Sequence, residues 1–310
     1  MKKWFIILSI PIAVVGLVIV MMSMHKYKSY GEQKSAPVSS STHAMKTAQP
    51  AAPKPEPSNN VVIYFSPHAD DEVLTMGIPI INDIRAGKEV YLVLMSPGSH
   101  SFARERINGA YDKESNIAKL AGKKLKDNLY KVYHNPYKEH YKDGWLTRQK
   151  FGDARLREFY LSAAAFGIPR DRVRVYNVVN DHFKYDQVRA IMESYAKRFP
   201  DATFKTMSVY DVHPDHAMCG RVLDDLLREH IIKHGVRYLS ITTDRIMKVK
   251  VANSHKVFLH HPADRIILFR AMHAYNIWKP REGFYAIGFH SVPIEFNLLR
   301  LKPYTKTAPL

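Results

Sequence analysis

Two short polar stretches concentrate the side chains able to do chemistry. Ser66-Pro67-His68-Ala69-Asp70-Asp71-Glu72 puts one imidazole and three carboxylates into five consecutive positions, 68–72. Far along the chain, His213-Pro214-Asp215-His216 adds two more imidazoles and a fourth carboxylate. His68 and Asp71 are three apart at a strand-to-helix turn, so both can face one centre, and His216 would supply a third donor. Two imidazoles and one carboxylate leave positions open to water, the pattern of a catalytic rather than a structural metal site. Two nitrogens and one oxygen suit Zn²⁺, and Fe²⁺, Co²⁺ or Mn²⁺ accept the same donors. Asp70 then stands beside a ligand, where it can take a proton from an activated water. His213 is expected across a bound carbonyl, as an imidazolium that stabilises an oxyanion and protonates a departing amine. Asp215 is expected to hold the His213 ring through a hydrogen bond and set its tautomer. Each stretch alone has a plainer reading: acids at a helix start serve as caps and complement the dipole, and a lone His in a turn is a surface residue. The pair is harder to explain that way, because each half brings ligands and a spare acid–base group to a strand end.

Positioning them requires strands that end at these turns. Val61–Phe65 reads as a buried strand, followed by a helix over Asp71–Ala86 with Gly77 and Pro79 in its middle. The pattern continues as a strand over Glu89–Met95, a turn at Ser96–His100, a helix over Ser115–Lys126 and a short strand over Leu129–Tyr133. A loop over 134–150 leads to a helix over Gly152–Phe166. Then come a strand at Val173–Val178, a helix at Gln187–Phe199, a strand at Thr203–Val209 and a helix at Ala217–His234. Arg237–Ile241, Ile246–Val251, Lys256–His260 and Phe284–Ile287 read as strands, with a helix over Ala263–Tyr275 between. Alternation of strands and helices predicts an α/β fold with a mostly parallel sheet covered on both faces. Both polar turns fall at carboxyl ends of strands, the edge where open α/β sheets bind ligands. Asp181, after the Val173–Val178 strand, falls on the same rim and is expected to contact substrate.

The chain has 310 residues and a net charge of +17. Residues 1–60 hold seven Lys, no Arg and two Glu, so they supply +5 and the remainder +12. Such a basic domain is drawn to polyanions, anionic lipid or acidic wall polymer. Nucleic acid is disfavoured, since the cations are spread out, without aromatic interleaving or zinc-finger spacing. The single Cys219 excludes an internal disulfide framework and any multi-cysteine metal site. An uncharged apolar run, Trp4–Met24, is long enough to cross about 30 Å of hydrocarbon and lacks a good cleavage site. Residues 1–24 are therefore expected to be one N-terminal transmembrane helix, with a cleaved signal peptide as the alternative. Residues 25–60, rich in Pro, Ala and Ser, are expected to be a linker, and 61–310 the catalytic domain. The arrangement suits a single-pass protein displaying that domain outside the cell.

Taken together, Ser-Pro-His-Ala-Asp-Asp-Glu and His-Pro-Asp-His resemble the motifs of the LmbE-like, or PIG-L, deacetylases, metal-dependent enzymes that remove acetyl groups from N-acetylglucosamine-type substrates. Ala69 stands where the family usually has Pro, with the ligand spacing kept, and the second motif matches unchanged. Arg155-x-x-Glu158, followed by Ser162-Ala163-Ala164-Ala165 and Phe166-Gly167, is a weaker similarity. The resemblance covers about 61–240. It implies a Rossmann-like three-layer sandwich, His68, Asp71 and His216 as metal ligands, Asp70 as general base, His213 as general acid or oxyanion partner, and Arg155 near the substrate. The function expected is zinc-dependent removal of an N-acetyl group from an amino sugar or glycoconjugate. The alternatives are hydrolysis of another amide on an extracellular polymer, or a non-catalytic, basic polymer-binding domain.

Overall fold

The computed structural model describes residues 59–310. The expected anchor and nearly all of the expected linker lie outside the described residues. Among those described, no helix is long and apolar enough to cross a membrane.

The chain enters through β1 (Val61–His68), whose eight residues are all buried. A parallel strand covered on both faces has no solvent side, hence a nearly continuous apolar run. Next come α1 (Asp71–Leu74), α2 (Gly77–Arg85), β2 (Glu89–Ser96) and α3 (Ala103–Asn108). A long excursion leads to α4 (Arg148–Phe166), β3 (Val173–Val175), α5 (Tyr185–Arg198), β4 (Thr203–Met207), α6 (Pro214–Arg228) and β5 (His234–Leu239). The C-terminal part adds β6 (His255–Val257), α7 (Arg265–Ala274), a small hairpin of β7 (Trp278–Lys279) and β8 (Phe284–Tyr285), α8 (Ile287–Ser291), α9 (Pro293–Leu301) and β9 (Thr305–Ala308).

The main sheet runs β3-β2-β1-β4-β5-β9-β6. Its first five strands are parallel, and β9 is antiparallel to both β5 and β6. Successive β1 side chains face opposite layers, as the period of two requires. Val62 and Tyr64 join a core with α2, α4, α7 and α9, while Val61, Ile63 and Phe65 join a second core with α5 and α6. The α/β sandwich with a mostly parallel sheet is thus observed, and the C-terminal region both extends the sheet and covers one face.

Four local expectations are corrected. The helix expected over Asp71–Ala86 is split into α1 and α2, and Gly77 and Pro79 lie in the first turn of α2. Ser115–Lys126 holds only one turn of 3₁₀ helix, Ala118–Leu120, with no buried residue. It has no face to bury, and propensity alone does not hold a short helix. Leu129–Tyr133 is not a strand, because the Asp127 carboxylate accepts the Leu129 and Tyr130 amides and bends the backbone into a turn. Ile246–Val251 is not a strand either. Thr242–Ile246 forms a wide helical turn instead, and the Arg245 guanidinium is tied to the Leu298, Lys302 and Tyr304 carbonyls.

Candidate active site

β1 lies between β2 and β4, and the chain leaves it towards β2 and β3 on one side before returning as β4 on the other. This is the switch point of the sheet, where a crevice opens at the carboxyl ends of the strands. The turns after β1 and β4 meet there. Gly220 permits the approach, since a Cβ on it would stand 2.2 Å from the Val209 amide nitrogen. A larger residue would push α6, and with it His216, off the end of β4.

Asp70 occupies the left-handed backbone region, with φ of 110°. That conformation is unfavourable for most side chains and less so for Asp. It is braced by Glu72, whose carboxyl accepts the Asp70 amide at 2.9 Å and the Tyr275 hydroxyl at 2.6 Å. Burial pushes Glu72 up to about 8. The bend sends neighbouring carboxylates to different partners. Asp71 Oδ2 accepts the His68 amide at 2.9 Å and stands 3.4 Å from His68 Nδ1 and 3.1 Å from His216 Nε2. Asp70 instead faces Arg155, with Nη2 at 2.9 Å from its Oδ2.

The two imidazoles are held from behind. His68 Nε2 is hydrogen-bonded to Asp215 Oδ2 at 3.0 Å, and His216 Nδ1 stands 3.2 Å from Asp211 Oδ1 in an ion-pair contact whose angle is poor for a hydrogen bond. Ionised carboxylates only accept, so the protons belong on those rear nitrogens. His68 Nδ1 and His216 Nε2 then carry lone pairs and face each other at 3.3 Å, with Asp71 Oδ2 beside both. Three acceptors converge with no donor among them. Zinc bonds of 2.0–2.1 Å place tetrahedral donors about 3.3 Å apart, which matches the three separations of 3.1, 3.3 and 3.4 Å. The ring nitrogens of His68, His213 and His216 also lie within 4.8 Å of one another. Asp71 makes the tighter set with His68 and His216; His213 stands at the edge. These residues fit a divalent ion.

The electrostatics agree. Burial works against a charged His216 ring, yet Asp71 and Asp211 override it and hold its pKa well above the ordinary imidazole value, so that with no metal bound a proton occupies Nε2, the place a cation would take. Burial likewise opposes ionised Asp71, but the charge and hydrogen bond of His216 hold it well below the usual carboxylate range. Asp70 differs: burial raises it to about 7, against the pull of Arg155.

Several expected roles shift in three dimensions. Asp215 does not hold the His213 ring with its carboxylate. As the second residue of α6, its backbone amide donates to His213 Nδ1 at 3.2 Å, while its side chain accepts from His68 and from the Asp181 and Phe183 amides at 2.6 and 3.0 Å. His213 is the N-cap of α6, and burial together with the nearby His216 and His68 lowers it to about 3. The ring is therefore neutral and not the imidazolium expected, with Nε2–H turned towards Asp181 Oδ1 at 3.7 Å. Asp181 does stand on the rim, its side chain 47% exposed. Arg155, expected near substrate, is 4% exposed and spends its guanidinium on Asp70 and the Ala69 and Gly98 carbonyls. Its neighbour in the motif, Glu158, accepts the Ile287 amide at 2.9 Å. Asp211 was not anticipated, although it lies two residues before His213. Tyr275 and Gly98 had no sequence signal of their own, because each acts through a partner distant in sequence.

A sequence profile of the PIG-L family, described as GlcNAc-PI de-N-acetylase, matches residues 63–227, just over half of the chain. No curated protein matches significantly. Among solved structures, the antimicrobial-reagent pseudoaglycone deacetylase Dbv21 aligns with a TM-score of 0.53 at 15% identity, covering 81% of this chain and 97% of its own. A deacetylase triple mutant of the teicoplanin biosynthetic pathway aligns with a TM-score of 0.51 at 14% identity, covering 79% and 96%. At such identities the likeness is one of fold. The profile match, spanning both polar turns and the helix that carries Arg155, places this chain in the PIG-L family.

Proposed function

We propose that this protein is a zinc-dependent hydrolase that removes the N-acetyl group from an N-acetylglucosamine-type sugar or glycoconjugate. The observation that carries the reading is the trio of lone pairs from His68, Asp71 and His216, gathered at the sheet's switch point with a buried, unliganded acid beside it. A divalent ion held by that trio would polarise an acetamide carbonyl and lower the pKa of a water. Asp70, with a pKa of about 7, is suited to take a proton from water near neutrality. Arg155 orients its carboxylate and keeps it from turning towards His68. His213 offers a neutral Nε2–H to the oxygen on which negative charge develops. With a pKa of about 3, it is scarcely protonated at neutral pH. The proton that leaves with the amine therefore comes from Asp70, which has just received one. Asp181 borders the opening beside His213 and is placed to meet a sugar hydroxyl.

The family description, GlcNAc-PI de-N-acetylase, supports the choice of an acetylated amino sugar, and solved structures of similar fold include a pseudoaglycone deacetylase and a deacetylase of the teicoplanin biosynthetic pathway. We also propose membrane attachment through the apolar run Trp4–Met24, to be checked by fractionation of cells expressing the full chain. The activity is tested by an acetate-release screen over acetylated amino sugars and polymers, with and without chelator. Chelator-sensitive acetate release is expected. Release of a different acid would transfer the same site to another amide, and polymer binding unaffected by chelator with no hydrolysis would overturn the enzyme reading.

A further inference from the structure

A second group of metal-ligand type lies apart from the switch point. Asp127 and His134 belong to the excursion between α3 and α4, and His290 to α8. All three are buried, at 1%, 6% and 0% exposure, and their donor atoms lie within 4.8 Å of one another. None contributes to the chemistry proposed above.

The hydrogen bonds around the cluster decide which atoms face inward. His134 Nδ1 stands 3.0 Å from a Glu139 carboxylate oxygen, and His290 Nδ1 stands 2.9 Å from the Ala286 carbonyl. Both partners can only accept, so each ring carries its proton on Nδ1 and turns a bare Nε2 inward. Asp127 Oδ2 is already engaged by the Leu129 and Tyr130 amides. The remaining atoms are Asp127 Oδ1, His134 Nε2 and His290 Nε2. Each is buried without a hydrogen-bond partner. Buried acceptors left facing one another are costly unless a cation sits among them. Imidazoles whose rear N–H is held by a carboxylate or a backbone carbonyl are the usual surroundings of a metal ion.

Distances agree. His290 Nε2 is 3.2 Å from Asp127 Oδ1, close to the tetrahedral edge of about 3.3 Å that zinc requires. His134 Nε2 is 3.9 Å from the other Asp127 oxygen, Oδ2, and lies within 4.8 Å of the remaining ligand atoms. Trp278 closes the cluster, its ring centroid 4.5 Å from that of His134 and 5.4 Å from that of His290. The surroundings are aromatic, with Tyr130 also packed edge-on to both rings.

We infer that Asp127, His134 and His290 bind a second divalent ion, zinc by its donor set, which clips the excursion between α3 and α4 to α8. Its role is structural: it replaces the sheet pairing and helix packing that this excursion lacks. The competing occupant is a proton, which would make a buried imidazolium–carboxylate pair and bind no metal.

The test is metal stoichiometry on the full chain, loaded with Zn²⁺, freed of excess by gel filtration and measured by elemental analysis. Wild type is expected to retain two ions per chain, His290→Gln one, His216→Ala one and the double variant none. The same content in His290→Gln as in wild type overturns the inference. Should His290→Gln fail to fold, anomalous scattering at the zinc edge from wild-type crystals decides. A peak among Asp127, His134 and His290 supports the site, and its absence there, with a peak at His68, overturns it. Loss of zinc in His290→Gln but not in His216→Ala would keep this site and refute the ligand set of the proposed catalytic centre.

Discussion

Arg155→Met separates two roles that look alike in sequence. The guanidinium is 2.9 Å from Asp70 Oδ2, with side-chain exposures of 4% and 8%. It also ties down the Ala69 and Gly98 carbonyls, so it holds the base from behind and does not face the crevice. Truncating one partner of a buried ion pair costs about 3–5 kcal/mol. If that loss falls on the transition state, at about 1.4 kcal/mol per tenfold, kcat drops by about 10²–10⁴-fold. KM should change little, because no contact with substrate is removed, and zinc content should be retained. Steady-state acetate release gives kcat and KM separately, and elemental analysis gives the metal. Arg155→Lys should recover only part of the loss, since an ammonium cannot reach three acceptors in the planar arrangement of a guanidinium. An independent route leads to the same defect: a Cβ at Gly98, where φ is +72°, would stand 2.1 Å from Arg155 Nη1. Gly98→Ala should therefore lower kcat as well, and the double variant should be no worse than Arg155→Met alone. A raised KM with unchanged kcat in Arg155→Met would refute this reasoning and return the guanidinium to the substrate.

Three further outcomes are expected. Asp70→Asn removes the proton acceptor and should cut kcat by about 10²–10⁴-fold with zinc still bound; turnover near the wild-type level would exclude Asp70 as base. Asp215→Asn weakens the brace on His68 and should reduce zinc affinity by about 10–100-fold in a competition titration against a chelating dye, whereas unchanged affinity would mean that the brace does not matter. Glu158 is buried and its pKa is raised to about 8, with the Ile287 amide offsetting only part of the burial cost. The folded state therefore keeps a proton that the unfolded chain releases near its ordinary pKa of 4.5. Stability from this group is complete below that value and falls as pH rises towards 8. Glu158→Gln, which still accepts from Ile287, should raise Tm relative to wild type by several degrees at pH 9 and by little at pH 5, on the order of what a few kcal/mol gives; equal gains at both pH values would contradict the buried, protonated acid.

Much of the scaffold was legible in the residues because it rests on local pattern. The apolar run of β1 and the alternation through β5 mark strands buried on both faces. In the excursion between α3 and α4, scattered apolar residues mimic a helix period without a surface to pack against. Asp127 competes there for the very amides a strand would have needed. At the site, residue types and short spacings already marked His68, Asp71 and His216 as donors that can converge and Asp70 as the acid left over. Folding decided what stands behind each of them. Asp215 turned to His68 rather than to His213, because α6 begins at Pro214 and sends that side chain across the crevice. Asp211 took His216, Arg155 sank beneath Asp70, and His213 lost its charge to burial. The sequence by itself determined which side chains bring lone pairs and protons to the two turns, since that is a matter of residue type and of spacing within a few positions. Only the tertiary structure decided what each lone pair faces and which groups stay ionised, because those depend on neighbours from distant segments and on the water that packing removes.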